Sequence, residues 1–170
     1  MDTHIDRSLS RSPLPDGCVI RAAAAADRDA VYALICEMEQ KTLDSDAFSA
    51  IFAHQLQSGG YLHLIFEQEG AAAGFLSLRM ERQLHHAAAV AEVLELVVAP
   101  AHRGRGLGSA LLSRACREAA ARGCVQLEVA CNRLRQDAHR FYRREGLRPF
   151  HLRFSRSLTG ETPAENKLGV

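Results

Sequence analysis

Residues 103–108 read RGRGLG, three glycines and two arginines in six positions, and run directly into the apolar stretch SALL. They follow AEVLELVVAP, Ala91 to Pro100, which reads as a buried strand closed by a proline. The order is therefore strand, glycine loop, helix. Glycines at such a junction permit positive φ and close approach of the backbone. Successive amides from Gly104 to Ser109, backed by a helix N-terminus, form a nest for a phosphate or pyrophosphate, and Arg103 and Arg105 add charge-assisted donors. A generic tight turn is the plain structural alternative. Two familiar phosphate loops are excluded by spacing, because no GxxxxGK(S/T) occurs and the glycines run GxGxG rather than GxGxxG. NTPase and Rossmann dehydrogenase chemistry both fall away.

Periodicity supplies the elements that must position this loop. CVIRAA reads as a first strand, and Asp27 is placed to cap a helix whose Val31, Leu34, Ile35 and Met38 fall at i, i+3, i+4 and i+7. A second helix is predicted from Ser45 to Gln57, with Phe48, Ile51, Phe52 and Leu56 inward and Gly59-Gly60 ending it. YLHLIF and GFLSLRM make a hairpin across EQEG, the second strand running on to His86. After VAEVLELVV and the glycine loop, a helix to about Arg122 carries Leu107, Leu111, Ala115 and Ala119 on one face, with Gly123 as its stop. CVQLEVACN alternates as a strand, DAHRFYRREG is a short helix, and LRPFHLRFS is expected as a closing strand. The pattern β-α-α-β-β-β-α-β-α-β predicts a single α/β domain over residues 18–158 around a mixed sheet, after a disordered leader at 1–17 and before a polar tail at 159–170.

A chain of 170 residues, 47% hydrophobic, is long enough for one real core. Its 21 basic and 20 acidic residues nearly cancel, to a formal charge of +1, so no global field points to nucleic acid or an anionic membrane. Five cysteines, Cys18, Cys36, Cys116, Cys124 and Cys131, are an odd number without a CxxC pair; this argues against a disulfide framework or zinc ribbon and for a reducing cytoplasm. No apolar segment suggests a secretory signal or a membrane span.

The stretch ELVVAPAHRGRGLGSALL, Glu95 to Leu112, resembles the acetyl-CoA signature of the GNAT N-acetyltransferases, with Arg103, Gly106 and Gly108 at its defining positions. DAHRFYRREGLRP resembles the same family's closing helix, turn and strand. More narrowly, AVYALICEMEQ, LHH, ELVV and DAHRFYRREG, in this order, resemble the aminoalkylphosphonate N-acetyltransferases of bacterial phosphonate utilisation, although the FEQEGAAAG hairpin is long for that group. The resemblance implies the GNAT fold, a mixed, largely antiparallel sheet flanked by helices. It also implies transfer of an acetyl group from acetyl-CoA to a primary amine, with an aminoalkylphosphonate as the favoured acceptor.

Residue roles follow from the same resemblance. Glu95 corresponds to the strand glutamate that takes the amine's proton, usually through water. Glu92 points to the other face of an unbulged strand, a parity that a bulge would reverse. Main-chain groups of Leu96, Val97 and Val98 are expected to receive the thioester oxygen and the pantetheine arm, and Arg103, Gly104, Arg105, Gly106, Leu107, Gly108 and Ser109 the pyrophosphate. Tyr142 stands where the family's tyrosine protonates the departing thiolate, and Asn132 is a further coenzyme contact. A phosphonate dianion needs cationic or hydrogen-bonding donors, for which His85, His86 and His139, with Arg140, are the candidates. The narrower resemblance implies a divalent metal as well; His85, His86, Glu92 and Glu95 have suitable ligand types but match no tight metal motif. Family habit implies a homodimer. The competing readings are acetylation of another small amine or a protein N-terminus, and a non-catalytic acyl-CoA-binding regulatory module.

Overall fold

The computed structural model describes residue 14 and residues 16–158. The expected leader, apart from residues 14, 16 and 17, and the whole expected tail at 159–170 lie outside the described residues. The elements are β1 (Cys18–Ala22), α1 (Arg28–Glu39), α2 (Ser45–Gln57), β2 (Tyr61–Gln68), β3 (Ala71–Gln83), β4 (Ala88–Val98), α3 (Leu107–Ala121), β5 (Cys124–Val129) and α4 (Gln136–Arg144). They fall into two compact units, one ending at Val129 and one beginning at Ala130.

The first unit holds one five-stranded sheet in the order β1-β2-β3-β4-β5. All neighbours are antiparallel except β4 and β5, which are parallel and joined through α3. β2 and β3 meet in a two-residue turn, Glu69 and Gly70, both with positive φ (53° and 80°), the handedness that tight hairpins require. Alternation divides the strands between two faces. On one, Ile65, Phe75 and Val97 pack with Val31, Leu34 and Ile35 of α1 and Phe52 of α2. On the other, α3 lies so close at Gly74 that a Cβ there would meet Leu111 Cδ1 at 3.1 Å and the Val97 carbonyl at 3.2 Å. The predicted inward face of α3 is buried in full, through Leu107, Leu111, Ala115 and Ala119.

Four expectations are corrected. Asp27 sits at the α1 boundary but its carboxylate does not bond the helix amides: it accepts from Ala24 N at 2.8 Å and from both Arg21 η-nitrogens at 2.7 and 2.8 Å. This double ion pair holds the Asp27 pKa below its ordinary value. Ile51 is 57% exposed, because α2 buries only Phe52 fully and turns Ile51 away. β3 stops at Gln83, and Leu84–His86 form a 3-10 turn closed by Ala87 with φ 48°. Finally, residues 147–157 form no strand; Phe150, Leu152 and Phe154 keep the two-residue alternation of one but are exposed, so no burial drives pairing.

Candidate active site

The site begins with a bulge. β3 and β4 pair Ser77 with Glu95 but Leu78 with Val93, so Leu94 is extra in β4 and has no residue opposite. An inserted residue inverts the facing of what precedes it, and Glu92 therefore shares a face with Glu95. The 2.7 Å ion pair from Arg79 Nη2 to Glu92 Oε2 agrees, since Arg79 lies two residues beyond Ser77 on the same face of β3.

Three rows consequently cross this face of the sheet. The first, Ile65, Phe75 and Val97, is apolar and lies under α1 and α2. The second is His63, Ser77 and Glu95; the third is Tyr61, Arg79 and Glu92. Glu95 thus stands at the border between a dry core and a charged, half-exposed margin. Burial is the main cause that raises its pKa above the usual carboxylate range; Glu39 of α1 adds to the rise, and the Ser77 hydroxyl offsets part of it. A carboxylate so placed is a better base near neutral pH than a solvated one.

Beyond Glu95, β4 is paired on one side only. Leu96, Val97 and Val98 oppose Leu76, Phe75 and Gly74 of β3, whereas the ladder to β5 ends at Val93 and Val129. The free edge of residues 94–98 can take an extended ligand as a strand would be taken. A 3-10 turn, Pro100–His102, then leads to the glycine loop. Gly104 and Gly106 have φ of 74° and 83°, and nothing lies within 4 Å of where a Cβ would stand on either. The loop presents bare backbone, and α3 starts behind it with its first intrahelical bond from Ala110 N to Gly106 O at 3.0 Å. Arg103 also ties the loop to β4 and α1: its Nε donates to Val98 O at 3.0 Å and its guanidinium lies 3.7 Å from Glu37. Arg105 is exposed beside the bare amides.

Gly106→Val forces a branched residue into the left-handed region and puts its side chain over those amides. The expected result is a rise of about tenfold or more in KM for acetyl-CoA with kcat less affected. Steady-state kinetics at saturating acceptor measures it, and unchanged saturation by acetyl-CoA would contradict the nest.

In the second unit, Tyr142 is half-buried on α4, its ring 5.1 Å from that of Phe141. Burial, reinforced by Cys131 and opposed by Arg135, pushes its phenol up to about 12. Asn132 uses its side chain locally, accepting from Leu134 N at 2.9 Å, while its carbonyl lies 2.9 Å from His139 Nε2. Asn132 and His139 thus come together and fix the loop to α4.

His85 and His86 are not brought to Glu95. They form the tip of the β3–β4 hairpin, their rings 4.2 Å apart. The tip lies past Gln83, six strand residues or about 20 Å from Ser77. Among the described residues no three His, Cys, Asp or Glu side chains converge as metal ligands, so the candidates His85, His86, Glu92 and Glu95 do not form a metal site held by protein alone. The sequence reading missed His63, Ser77, Tyr61 and Arg79. Their signal was a polar letter at alternate positions of YLHLIF and GFLSLRM, legible only once strand register is known.

The sequence pattern of the acetyltransferase (GNAT) family matches residues 28–147. An aminoalkylphosphonate N-acetyltransferase of Salmonella typhimurium is 43% identical over 141 residues, which cover 83% of this chain and 92% of that protein. Among solved structures, a transcriptional regulator from Bacillus halodurans superimposes with a TM-score of 0.77 at 20% identity, over 82% of this chain and 99% of that one. An aminoglycoside N-acetyltransferase in complex with CoA gives 0.76 at 18% identity, over 86% and 99%. At these identities the two structures speak for the fold alone.

Proposed function

The chain belongs to the acetyltransferase (GNAT) family, and from that premise we propose that it moves the acetyl group of acetyl-CoA to the primary amine of an aminoalkylphosphonate. The observation that carries the choice of acceptor is Arg79, a cation one row from Glu95 on the same face. Two strand residues separate the rows, about 7 Å, a gap that a short aminoalkyl chain spans with its amine at Glu95 and its anion at Arg79. The guanidinium fork suits a phosphonate, and Glu92, at 2.7 Å, holds it against the sheet. Arg79 thereby replaces the distant His85 and His86 as the acceptor's anchor.

Acetyl-CoA supplies the activated thioester. The amides from Gly104 to Ser109 hold its pyrophosphate, and the open edge of β4 at Leu96, Val97 and Val98 receives the pantetheine arm and the carbonyl oxygen. Glu95 takes a proton from the amine, and Tyr142 supplies one to the sulfur as the C–S bond breaks. Asn132 and His139 shape the loop next to Tyr142. The five cysteines are all free thiols and none of the described helices is long and apolar enough to cross a membrane, which supports placing the enzyme in the cytoplasm; the homodimer stands as part of the same proposal.

The test compares kcat/KM for aminomethylphosphonate and glycine. Two charge-assisted bonds to the dianion favour the phosphonate by roughly 10- to 100-fold, and Arg79→Met collapses the ratio toward one. Glycine or spermidine as the better acceptor of the unaltered enzyme would overturn the phosphonate reading.

A further inference from the structure

The row next to the apolar core contains a costly arrangement. Ser77 is wholly buried, and its Oγ, near enough to Glu95 to hold the carboxyl's pKa down, makes no well-formed hydrogen bond; His63 is 4% exposed and neither ring nitrogen has a partner. His63 sits among the rings of Phe52, Phe75 and Tyr61, at centroid distances of 5.6, 5.6 and 6.2 Å, an aromatic surround. Unpaired polar atoms in a buried face reduce stability, and a catalytic role is one of the reasons a protein keeps them. Both residues share one cross-strand row with Glu95, each the direct neighbour of the next.

We propose that Ser77 and His63 are positioning residues for Glu95, the Ser77 hydroxyl linking the His63 ring to the carboxylate so that the base is held in one orientation toward the amine. This rests on Glu95 being the base. Ser77 can donate to the carboxylate while it accepts from a His63 ring N–H. Burial lowers the His63 pKa, so the ring is neutral near pH 7 and adds no charge to the row. The groups that face the pair are Glu39 from α1, Tyr61 from β2, and Arg79 and Glu92 from the next row, while α2 contributes the apolar Phe52.

The experiment measures kcat, KM and pH profiles with acetyl-CoA and 2-aminoethylphosphonate for Ser77→Ala, His63→Phe, His63→Gln and Glu95→Gln. Ser77→Ala removes the group that holds the Glu95 pKa down, so the acid limb of kcat/KM moves to higher pH. His63→Phe lowers kcat about tenfold with KM for acetyl-CoA unchanged and melting temperature equal or higher, and His63→Gln recovers part of the loss because it keeps a donor. Wild-type kcat in His63→Phe together with an unmoved acid limb in Ser77→Ala would overturn the proposal. Should His63→Phe not fold, Ser77→Ala, smaller by one oxygen, decides by itself. Full activity in Glu95→Gln would instead remove the base assignment on which the row depends.

Discussion

Replacing Glu95 with Gln is expected to lower kcat on the order of 10²- to 10³-fold, with KM for acetyl-CoA nearly unchanged. Gln preserves the shape and cannot accept the amine's proton. The acid limb of kcat/KM, expected in the unaltered enzyme above the ordinary carboxylate range because burial and Glu39 disfavour the charge, should vanish. Stability separates this loss from misfolding. A carboxyl whose folded pKa exceeds its unfolded one contributes stability below the unfolded value, and that contribution is lost as pH rises through the folded one. Ionised Glu95 is therefore a cost to the fold, and Glu95→Gln should melt no lower than the parent. A variant that melts normally yet turns over at the parental rate would assign the base elsewhere.

Tyr142→Phe is expected to reduce kcat by roughly 10- to 100-fold while acetyl-CoA still binds. The size follows from the phenol's environment. Burial pushes Tyr142 up to about 12, so it keeps its proton throughout any practical assay range. Delivery to a free thiolate, whose acid titrates near 8.5, would run uphill by roughly 5 kcal/mol. The transfer therefore proceeds only as far as binding raises the sulfur's own affinity for a proton, which desolvation of a thiolate does. The loss should therefore appear as a lower plateau of kcat across pH, without a new limb. An unchanged kcat, under conditions where single-turnover rates show chemistry to be limiting, would mean that water supplies the proton.

Elements whose formation is a local matter were legible in the sequence. α2 begins and ends at Ser45 and Gln57 as periodicity predicts, and α3 buries the four residues that its pattern marks, because a helix face is set by neighbours three and four residues away. The glycine loop was legible for the same reason: Gly104 and Gly106 do adopt positive φ. What depended on partners distant in the chain was not. Whether Glu92 shares a face with Glu95 turns on one inserted residue, Leu94, that shows only in the pairing with β3. His63 and Ser77 looked like stray polar letters until register aligned them with Glu95, and Arg79 became a candidate anchor only through its row. Asp27 had a cap's sequence position, but Arg21 and the Ala24 amide offered its carboxylate stronger partners. Residues 150–154 alternate as a strand does, yet alternation cannot say whether any sheet edge will bury it.

The most direct test of the central claim is to mix the purified chain with acetyl-CoA and 2-aminoethylphosphonate and follow free thiol and phosphonate product together, the thiol by disulfide exchange and the product by phosphorus NMR. The account predicts one N-acetylated phosphonate for each CoA released, with thiol release falling to background when the amine is omitted. Thiol release that does not depend on the amine, or CoA release without an acetylated phosphonate, would contradict it.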